Sequence, residues 1–113
     1  MGKRDRLVGL YAHELRTRCA QAPDIDLLKR IVAGCGPSVY DREKALFDPR
    51  RPGERAALRR NFMVRKLGLP DGGALDDALQ IALETYAPDT QPRYRAVLHY
   101  LLVRQFGKED RFA

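Results

Sequence analysis

The stretch from Glu54 to Leu69, ERAALRRNFMVRKLGL, constrains the fold of this chain more than any other. Between Arg50 and Lys66 stand seven basic side chains against the single acid Glu54, a local balance equal to the +6 of the whole chain. Wound as an α-helix at about 100° per residue, the stretch puts Ala56, Ala57, Met63, Val64 and Leu67 on one broad side, with only Arg60 among them. Leu58 and Phe62 fall on a second side, and Arg55, Arg59 and Lys66 form a narrow stripe between the two. A helix with two apolar sides packs against more than one neighbour, so this segment is expected to be the central helix of its fold.

Helical spacing continues on either side of it. Val8, Tyr11, Ala12, Leu15 and Cys19 predict a first helix from Lys3 to Ala20. Asp24 caps a second helix carrying Leu27, Leu28, Ile31 and Val32, which Gly34 and Gly36 terminate. Ser38 to Phe47 reads as a short helix, and Asp48 to Gly53, with two prolines and a glycine, as a loop. The central helix stops at Gly68, and Asp71 is the expected cap of a helix from Ala74 to Tyr86. Asp89-Thr90-Gln91-Pro92 signals the start of a last helix, with Tyr94, Val97, Leu98, Leu101 and Leu102 inward, Tyr100 outward, and Gly107 as its stop. No strand-like alternation appears. The expected fold is all-α: a compact bundle of five or six short helices with no sheet, one domain over residues 1–113.

Three pieces carry a family resemblance when taken in order: Gly34-Cys35-Gly36-Pro37-Ser38-Val39-Tyr40, Asn61 through Leu69, and Tyr94 through Leu102 followed by Phe106-Gly107-Lys108-Glu109-Asp110. Together they resemble the bacterial family catalogued as domain of unknown function 2853, over essentially the whole chain. The resemblance implies a compact single-domain helical protein. It brings no activity, substrate or catalytic residue with it.

The composition excludes several classes. With 44% hydrophobic and 32% charged residues the chain is globular rather than disordered, and no apolar run approaches the roughly 18 residues of a membrane span. The N-terminal apolar stretch is broken by His13, Glu14 and Arg16, unlike a secretory signal, so a cytoplasmic location and no membrane partner are expected. Cys19 and Cys35 fit two reduced thiols. With His13 and His99 they lack the Cys-x-x-Cys or paired-His spacing of a zinc site, and no cofactor motif is present. The glycine turn at Gly34-Cys35-Gly36 follows a helix and lacks the Lys-Ser/Thr of a phosphate-binding loop, so it reads as a helix stop. Asp76 and Asp77 point apart on a helix, and no nucleophile has an activating neighbour in sequence, so no catalytic residue is assigned and no enzyme is expected.

What remains is charge. From Asp71 to Asp89 there are five acids and no bases, directly after the basic segment. The two can neutralise each other as neighbours, at about 0–1 kcal/mol per surface pair, or present opposite faces to partners. Arg50, Arg51, Arg55, Arg59 and Lys66 are the candidate residues for an anionic partner. The leading expectation is a non-catalytic protein-interaction or structural module, meeting an acidic protein or a second copy. The alternative is a protein that binds the RNA or DNA backbone through residues 50–66.

Overall fold

The computed structural model describes residues 2–86 and 93–112. In chain order they form α1 (Lys3–Arg18), α2 (Ile25–Cys35), a 3-10 turn (Gly36–Tyr40), β1 (Leu46–Phe47), α3 (Glu54–Leu58) running into a π-helix (Arg59–Lys66), α4 (Gly73–Thr85), β2 (Arg93–Tyr94), α5 (Arg95–Phe106) and a last 3-10 turn (Glu109–Phe112). The helix-start signal expected at Asp89 to Pro92 lies outside the described residues.

The fold is helical but not without a sheet. Leu46 and Phe47 pair antiparallel with Tyr94 and Arg93. The short helix expected over residues 38–47 is thus a 3-10 turn followed by a strand. Its backbone is claimed instead by the start of α5, whose Arg95 N–H donates to Ala45 O at 2.8 Å. The Arg95 side chain donates to the carbonyls of Lys44 (3.1 Å) and Leu46 (3.2 Å) and pairs with Glu54, tying β1 and α3 to one guanidinium.

The most enclosed helix is α5. Ala96, Val97, Leu98, Tyr100, Leu101, Leu102 and Val103 are all buried, packed among α1, α2 and α4. That corrects the expectation of a central helix at residues 54–69. It also corrects Tyr100, which points inward because its hydroxyl accepts the Asp24 N–H at 2.8 Å. Asp24 itself caps α2 as expected, its carboxylate accepting the Leu27 N–H at 3.1 Å.

Two helix ends differ from the expected ones. α2 continues through Gly34 to Cys35 and stops at Gly36, which takes φ +69°. Gly34 serves space rather than termination: a Cβ there would stand 3.2 Å from the Phe112 ring. α4 is preceded by Gly72 with no side-chain cap, because the Asp71 carboxylate accepts the N–H of Gly72 and faces Arg59 instead.

The basic segment is helical over its expected length and stops at Gly68, with φ +70°, but its winding is new. Under π-helical i→i+5 bonding each residue turns by only about 80°, and Leu58, Phe62, Met63 and Leu67 then fall within roughly one quadrant. All four are buried. The two apolar sides implied by α winding are one side here, and Ala56 is exposed. The bond from Leu67 N–H to Phe62 O (2.9 Å) closes that geometry.

The buried hydrophobic side chains form one continuous cluster. Its polar exception is Glu14 on α1, which accepts the Tyr86 hydroxyl proton and pairs with Arg18 at 3.0 Å. The Tyr86 oxygen in turn accepts the Tyr94 N–H at 3.2 Å, so a buried carboxylate links α1, the end of α4 and β2.

Candidate functional site

The π winding distributes the five candidate cations rather than aligning them. Arg59 lies on the flank that faces α4, with Nη1 3.0 Å from Asp76 Oδ1 and Nε 3.3 Å from Asp71 Oδ1. Arg55 faces the same way and donates to Gln80 Oε1 at 2.9 Å, and Gln80 donates to Glu84. Arg50 folds back on its own loop, donating to both carboxylate oxygens of Asp48 at 3.0 and 3.2 Å. Lys66 is on the opposite flank, its amine 4.8 Å above the Phe112 ring. Arg51 is exposed, and behind the hydrogen bonds and charge of Arg50 its own charge helps hold the Asp48 carboxyl below the usual range. The expected stripe of Arg55, Arg59 and Lys66 is therefore split between two surfaces.

Two other exposed cations of the segment, Arg60 and Arg65, point away from the core, and Arg65 donates at 3.4 Å to Asn61, which is exposed on the Lys66 side. Arg60 has no partner among the described residues. The acidic helix thus takes up Arg55 and Arg59 and leaves Arg51, Arg60, Arg65 and Lys66 facing solvent.

The flank carrying Lys66 closes a cavity of about 380 Å³ between α2, the π-helix and α5. Here two residues that the sequence offered only singly come together: Cys35 Sγ lies 3.7 Å from His99 Nδ1. Cys35 is the last residue of α2. His99 is one turn beyond Arg95 on α5, and its ring stacks on Phe62 with centroids 3.7 Å apart and planes 9° from parallel. Burial, and secondarily the nearby Arg95 guanidinium, push the imidazole down to about 3. Burial pushes the Cys35 thiol up to about 11, with Arg95 opposing it. Both groups are therefore neutral near pH 7. The pair is a thiol against an imidazole, not the thiolate–imidazolium of an activated nucleophile. Cys19, by contrast, is enclosed in the core, pushed up to about 12 by burial and then by Glu14.

Sequence reasoning missed this pair because its members are 64 residues apart and neither sits in a chemical motif. Nothing in local spacing could reveal it.

A second depression, of about 310 Å³, runs between α1 and the 36–47 segment. Leu10 and Tyr40, two of the three large hydrophobic side chains that are exposed among the described residues, stand at its edge. Val39, Leu46 and Tyr94 line it, and Asp41 and Arg42 give it one charge of each sign. No group of three or more His, Cys, Asp or Glu side chains among the described residues is arranged to hold a metal ion. No helix among them is long and apolar enough to cross a membrane.

The model of the family described as protein of unknown function (DUF2853) matches residues 10–110, and the chain belongs to that family. No curated protein matches it.

Proposed function

We propose that this member of a family of unknown function is a non-catalytic protein-interaction module that docks an acidic segment of a partner protein. The observation that carries the reading is the groove rimmed by Leu10 and Tyr40. Exposed apolar surface is gathered there over a preformed depression instead of being scattered, as at an interface anchor. The groove's own Asp41 and Arg42 balance, so it is the solvent-facing Arg51, Arg60 and Arg65 elsewhere that favour a negatively charged partner, for which charge supplies steering and register more than affinity.

The test is a photoreactive phenylalanine analogue at position 40, compared with the same probe at exposed Gln105 near the far end of α5. The expected result is a covalent adduct to one acidic protein from position 40 only, lost on Leu10→Asp. Identical adducts from both positions, or none, would overturn the reading. An adduct between two copies would replace the acidic partner with self-association.

The nucleic-acid alternative predicts binding to a labelled RNA or duplex that weakens log-linearly with salt. The pairing of Arg55 and Arg59 with α4 weighs against it. The chain has no tryptophan, so co-purified nucleic acid would stand out at 260 nm.

A further inference from the structure

We propose that the cavity between α2, the π-helix and α5 is a binding site for a small planar organic anion, an aromatic carboxylate in chemical class. Its size suits such a ligand: about 380 Å³ is within the range of roughly 300–1,000 Å³ that small-molecule sites occupy. Its walls suit a flat apolar body, because Phe62, already stacked on His99, and Phe112 both line it. Its charge suits an anion. Lys66 and Arg95 are lining cations, and no carboxylate is among the described lining residues.

The two cations play different parts. Arg95 is occupied by Glu54 and by the carbonyls of Lys44 and Leu46, so it is fixed in place and serves as a rigid positive wall. Among the described residues the Lys66 amine has only the face of Phe112 as its contact, so it can turn to a carboxylate without breaking an ion pair. Ser38 and Asn61 add neutral polar groups at the lining. Ser38 donates to the Cys35 carbonyl at 2.9 Å and keeps its oxygen lone pairs.

The site is built from four parts of the chain, residues 31–38, 57–66, 95–99 and Phe112, and specific features hold them. Gly34 has no side chain where a Cβ would press on Phe112. The π winding turns Asn61 and Lys66 toward the cavity while keeping Phe62 in the core. The neutral Cys35–His99 pair adds polar atoms without adding a charge that would compete with Lys66.

The proposal is tested with benzoate and 2-naphthoate as probes and benzamide as the uncharged control. Each is titrated into the full chain while amide shifts are followed by NMR. In parallel, the rate of Cys35 alkylation by iodoacetamide is measured in a Cys19→Ser background. Benzoate is expected to shift the residues that line the cavity and to slow alkylation of Cys35, while benzamide does neither at the same concentration. Lys66→Met, which keeps the aliphatic stem, should weaken benzoate about tenfold, and Lys66→Arg should restore most of that loss. Equal effects of benzoate and benzamide would overturn the anion assignment. No shift at tens of millimolar, with the protein folded by circular dichroism, would overturn the site. Neither result touches the groove at Leu10 and Tyr40.

Discussion

His99 holds an uncharged ring in a place where burial, and then the neighbouring Arg95, oppose its protonation. Its ordinary value is 6.5, and in the fold it falls to about 3. Between those limits the unfolded chain carries a proton on this ring that the native chain does not. By linkage, stability is full above about pH 6.5 and is lost as pH falls toward about 3, with a slope of at most about 1.4 kcal/mol per pH unit from this group. His99→Phe keeps a ring against Phe62 and removes the titration. Urea denaturation of both forms from pH 7 to pH 4 should show the wild type losing stability faster than the variant as pH falls. Parallel curves would mean that His99 is protonated as easily in the fold as outside it. At this scale the sequence was a weak guide: Asp24 was legible as a cap because its role is completed by Leu27, three residues away. His99 was not, because Cys35 and Phe62 are brought to it by two other elements, α2 and the π-helix.

The stretch from Glu54 to Lys66 shows why an element can be seen in sequence while its winding is missed. Helical propensity, the acid in the first turn and the stop at Gly68 are local signals, and they placed the helix correctly. The spacing of Leu58, Phe62, Met63 and Leu67 fits one face only when a residue more per turn is allowed, and the demand for that comes from the core they enter. The strands Leu46–Phe47 and Arg93–Tyr94 were invisible for a related reason: two residues carry no alternation, and their pairing is set by backbone bonds to a distant segment. A π-helix read in this way is an α-helix accommodating an extra residue. Deleting the outward Arg60 brings Leu58 and Met63 to i,i+4, where α winding also puts them on one face. The deletion of Arg60 should therefore leave a folded, cooperatively melting helical protein. A deletion of Gln80 in the regular helix α4 rotates Leu83 away from Leu75 and Leu79 and should abolish cooperative melting. Thermal denaturation by circular dichroism separates the two. Loss of cooperative melting in both would show that the π turn is required in itself.

Across the whole molecule, the question raised by a +6 segment followed by an acidic helix has a geometric answer: the two lie against each other through Arg59, Asp71 and Asp76. These pairs are half-exposed, so their contribution to stability is small, about 0–1 kcal/mol each. Their larger effect is on what the surface offers, since Arg59 is held by the carboxylates of Asp71 and Asp76 instead of facing an external anion. Asp71→Asn with Asp76→Asn releases that arginine and should leave the fold nearly as stable as before. On a heparin column the double variant should elute at higher salt than the wild type, and the log–log salt slope for a labelled duplex should steepen by about one for the freed cation. Net charge also rises by two, so the comparison that decides is with Asp5→Asn and Asp26→Asn, exposed acids of α1 and α2. If both double variants shift equally, only bulk charge has changed and Arg59 was never masked. If the Asp71 and Asp76 pair shifts more, the acidic helix acts as an internal competitor for the basic one. The chain then discriminates against nucleic acid by occupying its own arginines, which leaves Arg51, Arg60 and Arg65 to steer a protein partner.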